Sequence, residues 1–140
     1  MDRYTFRGKS VHTNDWIYGG YAELEGVACI ILPHIEYNDE CQREEPVYIA
    51  IDPATVGQST GITDKNERVV FEGDIVQVDA YSYHIPEDSA RGAIEISAYG
   101  YGMRKAENGE WAYLCDLIGS STTIFEVIGN VHDDPDLLEE

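Results

Sequence analysis

The run from Gly57 to Gly61, GQSTG, is the part of the sequence that resembles a phosphate-binding loop. In such a loop, backbone N–H groups point at an anion, and a Gly-Lys-Ser/Thr ending followed by a helix completes the site. Here that ending and any helical pattern are missing, and Asp52, Asp64 and Glu67 would repel phosphate. The run therefore favours a tight turn that brings the strand region Val69 to Val78 into register, and we predict no nucleotide site.

Carboxylates and imidazoles offer two further candidate sites. Glu72 and Asp74 lie two residues apart, so on a strand both would face one side and could bind a cation or share a proton. We expect nothing apolar to desolvate them, which favours a turn with solvated carboxylates. The histidines lack a second His or Cys at ligand spacing, and His132-Asp133-Asp134 reads as a polar turn. We therefore predict no metal site.

Nucleophilic side chains are present without the surroundings that activate them. Ser59, Ser120 and Ser121 lie outside any Gly-x-Ser-x-Gly pattern, and no cysteine lies in a catalytic signature. Cys29 lies in an apolar run and Cys115 in a strand pattern, so both read as core thiols. We predict no catalytic residue and no cofactor, and hence a protein that is not an enzyme.

The charge balance is one-sided, since 27 Asp and Glu face 9 Lys and Arg and give a net charge of −18. With 43% hydrophobic and 11% aromatic residues, the 140-residue chain is nevertheless expected to fold. The charge argues against direct binding to nucleic acid or anionic lipid, because that binding needs Lys and Arg to displace counterions. Half of it lies in the tail Asp133 to Glu140 (−5) and the segment Glu36 to Glu45 (−4), which is typical of surface solvation.

The compartment is indicated by what the sequence lacks. The residues before Trp16 include no apolar stretch of the signal-peptide type, and the longest apolar run, Val27 to Leu32, is too short to span a membrane. Cys29, Cys41 and Cys115 are an odd number at wide spacing, which fits free thiols in a reducing compartment. We therefore expect a cytoplasmic protein that does not bind membranes.

Short segments with a period of two recur along the chain, and this alternation is typical of strands with one buried face. Examples are Val76 with Val78, and Phe125, Val127 and Val131 with Gly129. From this pattern we predict an all-β protein of about nine strands, enough for a small barrel and a flanking sheet or hairpin layer. Further sets are Val47, Ile49 and Ile51; Ile94, Ile96 and Ala98; and Trp16, Tyr18 and Leu24, with a bulge or sharp bend at Gly19-Gly20.

Turn positions follow from residue type. Asn108-Gly109 lies between two strand patterns and predicts a hairpin with a two-residue turn. Asn14 and Asn66 would supply the left-handed residues of two turns that lack glycine. At the C-terminal end an aspartate cap followed by Pro135 predicts a short helical turn over residues 134–140.

The stretches Thr55 to Val78 and Phe125 to Leu138 carry the most distinctive patterns of the chain. The first runs from a Gly-Gln-x-Thr-Gly segment through Asp-Lys-Asn to Glu-Gly-Asp-Ile-Val, and the second contains Glu-Val-Ile-Gly-Asn. Together they resemble the YopX-like proteins, a family from phages and prophages. The matching positions are Gly57, Gln58, Thr60, Gly61, Asp64, Lys65, Asn66, Glu72, Gly73, Asp74, Ile75, Val76, Glu126, Val127, Ile128, Gly129, Asn130, Pro135, Asp136, Leu137 and Leu138.

The resemblance implies an all-β fold with an SH3-like barrel in the C-terminal half, an additional N-terminal β layer and a phage or prophage origin, and it implies no chemistry. The opening Phe6-Arg7-Gly8-Lys9, with Trp16-Ile17-Tyr18-Gly19, also looks like the start of that family. The resemblance therefore touches both ends and the middle of the chain, and we expect a single domain, 1–140, which could divide into subdomains 1–54 and 55–140. The family has glycine after Asp-Lys-Asn where this chain has Glu67, so the hairpin must be built differently or accept strain at Asn66. The polar, proline-bounded stretches Asn38 to Pro46 and Ser82 to Ala90 read as exposed loops.

Four tyrosines, Tyr81, Tyr83, Tyr99 and Tyr101, are the candidate partner-binding residues. SH3-like barrels with exposed aromatics bind extended or Pro-rich peptides in a groove between loops. Tyrosine also favours strands, so sheet surface and core edge are the other interpretation.

Three functions follow as hypotheses. The first is a non-enzymatic protein-interaction module of a bacterial host cytoplasm, whose partner is another protein or a second copy of the chain. The second is a DNA mimic or decoy that uses the charge of −18 to occupy a basic nucleic-acid-binding protein. The third, a hydrolase or nucleotide-binding enzyme, rests only on Gly57 to Gly61 and the carboxylates, and is the weakest.

Overall fold

The structure, a computed structural model, describes residues 5–82, 85–98, 100–113 and 123–139. Within them lie eleven strands and two short 3-10 helices, which confirms an all-β protein and makes the expected number of nine strands too low. The elements are β1 (Phe6–Lys9), β2 (Trp16–Leu24), β3 (Val27–Asn38), β4 (Arg43–Ala50), η1 (Pro53–Thr55), β5 (Gly57–Thr63), β6 (Val69–Phe71), β7 (Asp74–Ser82), β8 (Ile85–Ser97), β9 (Gly100–Lys105), β10 (Trp111–Tyr113), β11 (Thr123–Asn130) and η2 (Pro135–Leu138).

The strands form two antiparallel sheets, in the orders β4-β3-β2-β1-β5-β6 and β10-β9-β8-β7-β11. Over the described ranges these sheets do not close into a barrel, so the SH3-like barrel expected in the C-terminal half is not confirmed. The chain groups into two compact units, Met1–Ser59 (unit 1) and Thr60–Glu140 (unit 2). The division into subdomains 1–54 and 55–140 stays a prediction.

Unit 1 buries one face of its strands around Ile30, which is fully enclosed. An isolated antiparallel bridge between Ser10 and Ile51 ties the end of β1 to the residue that follows β4. The buried members of the cluster are Ala28, Ile30 and Ile51, and Phe6, Ile17, Tyr21 and Val56 pack against them.

The set of β2 residues that we predicted to form a buried face lies on the side away from this core. Trp16, Tyr18 and Leu24 share one face, as alternation along a strand requires. The residues that pack against the cluster are Ile17 and Tyr21, which lie on the other face. The period of two was therefore right for β2, but the prediction that Trp16, Tyr18 and Leu24 form the buried face was wrong.

The glycine pair in β2 does not form the bulge that we expected, and the alternative of a sharp bend stays a prediction. The strand pairs with β1 as far as Gly19 and with β3 from Gly20 onward, without a shift of register within either pairing. A Cβ at Gly19 would collide with the backbone carbonyl oxygen of Ile31. The close approach of β3 therefore requires glycine at this position.

Unit 2 has the larger core. Val76 and Val78 of β7 and Phe125 and Val127 of β11 are all buried in it, which confirms the alternation predicted for both strands. Val70 of β6 is in the same cluster, so the β5–β6 hairpin packs against the five-stranded sheet. The buried members are Val70, Val76, Val78, Ile94, Met103, Phe125 and Val127, with Ile62, Ala90 and Tyr101 packed against them.

The hairpin predicted at Asn108-Gly109 is present and joins β9 to β10. The Lys105 N–H donates to the Glu110 carbonyl and the Gly109 N–H to the Lys105 carbonyl, both at 2.8 Å, so residues 106–109 form a longer loop. Of these loop residues Gly109 has a positive φ, 72°, whereas the expected two-residue turn would need one at both central positions. The hairpin is confirmed and its turn type was wrong.

Of the stretches predicted as exposed loops, Asn38 to Pro46 holds the end of β3, an exposed turn at residues 39–42 and the start of β4. Ser82 to Ala90 lies in β7 and β8, except for Tyr83 and His84, which lie outside the described residues. Their polar side chains pair across the strands: the Ser89 hydroxyl donates to Asp79 Oδ1 at 2.9 Å between β8 and β7. Such cross-strand hydrogen bonds support strands that lack an apolar face, which is why alternation missed them.

The C-terminal helical turn is confirmed as η2, with Pro135 at its first position. Asp134 makes no side-chain cap; its Oδ2 accepts the Asn130 N–H instead, at 3.2 Å. In the described part of the chain, no helix is long and apolar enough to span a bilayer.

Candidate functional site

Two of the four tyrosines predicted to bind a partner, Tyr81 and Tyr101, lie in the described residues. Tyr101 packs against the unit 2 core, which fits the core-edge interpretation. The backbone of Tyr81 pairs with Pro86 between β7 and β8. Tyr83 and Tyr99 lie outside the described residues. A tyrosine groove in this part of unit 2 stays a prediction.

Asp64 closes the turn between β5 and β6 and holds β11. Its Oδ1 accepts the backbone N–H groups of Asn66 and Arg68, and its Oδ2 accepts that of Val127, each at 2.9 Å. Burial disfavours the charged form, but these three hydrogen bonds outweigh it and hold the pKa of Asp64 below its ordinary value. Asp64 therefore has a structural role, because its carboxylate accepts three backbone hydrogen bonds.

The strain of this turn falls one residue later than we predicted. Glu67, not Asn66, adopts the left-handed conformation, with a φ of 63°. A residue with a Cβ disfavours this conformation, so the strain of the turn lies at Glu67. Asn66 instead donates through Nδ2 to Glu126 Oε1 at 3.2 Å. The other expected left-handed residue, Asn14, is confirmed, with a φ of 62°.

Glu72 and Gly73 form the predicted turn, between β6 and β7, with a φ of 90° at Gly73. Asp74 is not the solvated carboxylate that we expected, because it is 1% exposed and its Oδ2 accepts the Phe71 N–H at 2.7 Å. The Gly73 N–H donates to the Ile94 carbonyl at 2.8 Å, which fastens the turn to β8. The Glu72-Gly73-Asp74 motif therefore also has a structural role.

The glycine-rich run is a strand rather than the tight turn that we predicted. Gly57 and Gln58 of β5 pair with Arg7 and Phe6 of β1. Farther along β5, the Thr60 hydroxyl donates to the Val70 carbonyl at 2.8 Å. Gly61 has a φ of 76°, a conformation that glycine adopts readily.

The closing motif is also a packing element. Asn130 Oδ1 accepts the N–H groups of His132 and Asp133, at 3.0 and 2.9 Å. A Cβ at Gly129 would overlap Leu137 and the Asp134 carboxylate, so glycine lets η2 fold back on β11. Within the described ranges, no group of three or more His, Cys, Asp and Glu side chains is placed to hold a metal ion.

A site that the sequence reasoning missed lies on one side of the β2–β3–β4 sheet in unit 1. Register pairs Leu24 with Val27, and Ile31 with Tyr48. Paired residues in antiparallel strands share a face. We call this surface the outer face; its large apolar members are Leu24, Val27, Ile31, Ile35, Tyr37, Pro46 and Tyr48, and Glu44, which pairs with Tyr37, lies on the same side.

The outer face continues along the β3–β4 hairpin past a shift in register between Ile31 and Ile35. Ile35 pairs with Pro46, which lies two residues from Tyr48 and therefore on the same side of β4. Ile35 is 56% exposed and Tyr37 is 60% exposed, and Leu24, Val27 and Tyr48 are exposed as well. The hairpin therefore presents a row of large apolar side chains to solvent.

The opposite side of the same hairpin is polar and internally bonded. Glu45 accepts hydrogen bonds from Asn38 Nδ2 and Arg43 Nε, at 3.1 and 3.0 Å, and from the Cys41 thiol at 3.1 Å. The bonds from Cys41, Arg43 and Asn38 lower the pKa of Glu45, and the bond to Glu45 raises the pKa of Cys41. An elevated pKa leaves less of the nucleophilic thiolate at neutral pH.

A cavity of about 560 Å³ lies at the end of the hairpin. Four carboxylate residues line it, Glu36, Asp39, Glu40 and Glu45, together with Tyr37 of the outer face. Carboxylates beside an aromatic ring suit a Lys or Arg side chain, through ion pairs and a cation–π contact. The alternation of His34 and Glu36 with Ile35 and Tyr37 was the signal that could have revealed this two-sided hairpin.

Comparisons with known proteins agree with the fold. No curated protein matches the sequence. The crystal structure of protein EF1440 from Enterococcus faecalis is similar, with a TM-score of 0.56 and 22% identity over 96% of this chain and 97% of that chain. The family model described as YopX protein matches residues 5–139.

Proposed function

We propose that this chain, which belongs to the YopX protein family over residues 5–139, is a non-enzymatic protein-interaction module that binds its partner through the outer face. The observation that carries the proposal is the row of exposed apolar side chains on β3 and β4, with Ile35 and Tyr37 more than half exposed. Exposed apolar patches rimmed by polar residues are typical of protein-interaction sites, because burying them removes apolar surface from water.

The charge of the hairpin selects the partner. The segment Glu36 to Glu45 has five carboxylates against Arg43, a net −4, and four of these carboxylates line the hairpin cavity. A second copy would bring equal negative charge to the same interface, whereas a surface with Lys or Arg around an apolar centre would be attracted. We therefore commit to a basic protein surface as the occupant, and self-association is the alternative outcome of the test.

The experiment compares capture from a bacterial lysate by the tagged wild-type protein and by two variants. The double variant Ile35→Ser, Tyr37→Ser removes the centre of the outer face. The control Ile124→Ser removes a similarly exposed side chain, 43%, from β11 in unit 2. Captured proteins are identified by mass spectrometry at about 50 and about 200 mM salt, where screening of exposed charges differs.

The proposal expects basic proteins that the wild type and the control capture, that the double variant loses, and that leave at the higher salt. Equal capture by all three proteins, or a set that is not basic, would contradict it. If the wild type sediments as a dimer and the double variant as a monomer, the partner is a second copy of the chain and not a basic protein.

The DNA-mimic hypothesis needs the acidic hairpin and the acidic tail on one surface. The hairpin belongs to unit 1 and the tail to unit 2. That alternative therefore stays a prediction, as do the phage or prophage origin and the cytoplasmic location.

The proposal also includes the absence of catalysis, cofactor and metal. A thermal unfolding series with millimolar ATP or Mg²⁺ tests this, because a ligand that binds the folded state raises Tm. We expect no change. A rise of several degrees would favour the enzyme hypothesis.

A further inference from the structure

A second cavity, of about 290 Å³, lies in unit 2. Its walls come from β7, from β8, from the end of β9 with the loop that follows, and from η2. We call it the unit 2 cavity. It shares no residue with the outer face, so the inference drawn from it does not depend on the proposed function.

Two cations line the unit 2 cavity, Arg91 and Lys105. In the described ranges neither forms an ion pair, whereas Arg43, Lys65 and Arg104 each pair with a carboxylate within 3.2 Å. The chain has three times as many acidic as basic residues, 27 against 9. Among the described residues, Arg91 and Lys105 thus lie beside one cavity without a carboxylate at ion-pair distance.

The guanidinium of Arg91 is held in place from two sides. Its Nε donates to Gln77 Oε1 at 3.1 Å, and its Nη1 donates to the backbone carbonyl of Leu137 at 3.3 Å. Gln77 is in turn fixed by its Nε2, which donates to Ser89 Oγ at 2.5 Å. A guanidinium has five N–H donors, so these two contacts leave three for a ligand. An arginine fixed in this way loses little further freedom when it binds a carboxylate.

Two carboxylate residues, Glu107 and Glu139, line the same cavity. A ligand with negative charge alone would be repelled by them, and one with positive charge alone would be repelled by Arg91 and Lys105. A ligand with both charges can pair each group with its opposite. The volume is at the lower end of known small-molecule sites.

We propose that the unit 2 cavity binds a small zwitterion, of the size of a free amino acid, with its carboxylate on Arg91 and Lys105 and its ammonium group on Glu107 and Glu139. The Ala106 N–H donates to the Arg91 carbonyl at 2.8 Å, which keeps the Lys105 to Glu107 segment beside Arg91. The backbone thus sets the cationic and anionic sides of the site next to each other.

The experiment titrates the full chain with three probes at constant ionic strength: L-glutamine as the zwitterion, acetate as the carboxylate alone and methylamine as the ammonium alone. Binding is followed by NMR through the Arg91 Nε–H and Ala106 N–H signals. We expect L-glutamine to shift both signals with a Kd on the order of 1 mM, and the single-charge probes to bind at least about tenfold more weakly.

Variants separate the site from a general charge effect. Arg91→Gln and Glu107→Gln should each weaken L-glutamine binding at least about tenfold by the Ala106 signal. The matched control is Arg104→Gln, an arginine of β9 that pairs with Glu95 and does not line the cavity. Unchanged signals at about 20 mM L-glutamine, equal binding by Arg91→Gln, or acetate as tight as L-glutamine would each overturn the proposal.

Discussion

The carboxylate of Asp64 accepts the backbone N–H of Val127 at 2.9 Å, 63 positions away along the chain. The same turn donates a second hydrogen bond to β11, from the Lys65 N–H to the Phe125 carbonyl at 3.1 Å. β11 lies at the edge of its sheet, beside β7. These hydrogen bonds therefore satisfy backbone groups of β11 that have no partner in β7. The aspartate thus joins a local turn to a strand from the other end of unit 2.

Replacing Asp64 should destabilise unit 2. The side chain is 7% exposed and accepts three backbone hydrogen bonds, and in Asp64→Asn one of the two oxygens becomes an N–H₂ that faces donors. We expect a loss of about 2–3 kcal/mol in the free energy of unfolding, measured by urea titration at pH 7. The control Asp136→Asn changes an exposed aspartate of η2 and should cost less than about 0.5 kcal/mol. Equal losses in both variants would contradict a specific role for Asp64.

The contribution of Asp64 should depend on pH in one direction. Its pKa in the folded protein lies below the ordinary aspartate value, so the stability it adds is fully present above about pH 4 and is lost as pH falls through the lower folded pKa. The difference in unfolding free energy between wild type and Asp64→Asn should therefore be constant from pH 7 to 5 and shrink below pH 4. Urea titrations at pH 7, 5 and 3 test this, and a difference that grows toward pH 3 would refute it.

Glycine at position 67 should stabilise the protein. Glu67 has a left-handed conformation, which costs a residue with a side chain about 1–2 kcal/mol. Glycine removes this cost, but its greater freedom in the unfolded chain offsets part of the gain. We expect Glu67→Gly to raise the free energy of unfolding by about 0.5–1 kcal/mol. Asn66→Gly is the matched control, because it removes the hydrogen bond to Glu126 without relieving a positive φ, and it should lower stability. A destabilised Glu67→Gly would count against strain at this position.

Neighbouring glycines of β2 should differ sharply in tolerance. In Gly19→Ala the new methyl group would collide with the backbone oxygen of Ile31, and strands cannot move apart without breaking their pairing. We expect a loss of at least about 2 kcal/mol, or failure to fold. In Gly20→Ala the methyl group would lie 3.7 Å from Ile31 Cβ, an ordinary contact, and the loss should stay below about 1 kcal/mol. Thermal unfolding of both variants decides, and equal tolerance would contradict the close approach of β2 and β3.

Residue types and their spacing were enough to determine the class of this protein and several of its local features. The alternation of Val76 with Val78 predicted a half-buried strand because adjacent side chains in a strand point to opposite sides. Gly109 marked a hairpin because glycine adopts a positive φ without a Cβ clash. The motif positions from Gly57 to Leu138 indicated the family, although their roles in the fold could not be read from the motif.

Tertiary structure decided what each of these residues does, because partners distant in sequence set burial and pairing. Asp74 looked like a solvated carboxylate and is enclosed, and the residues from Asn38 to Pro46 looked like a loop and pair as a hairpin. The outer face follows from the register of the strands. Ile31 and Tyr48 are 17 positions apart in the sequence, and the pairing of β3 with β4 places them side by side. Arg91 is likewise an ordinary surface residue in the sequence, and only the return of η2 to β8 gives it a carbonyl partner in Leu137. Local patterns predict strands, but contacts between distant strands determine which faces are left for partners and ligands.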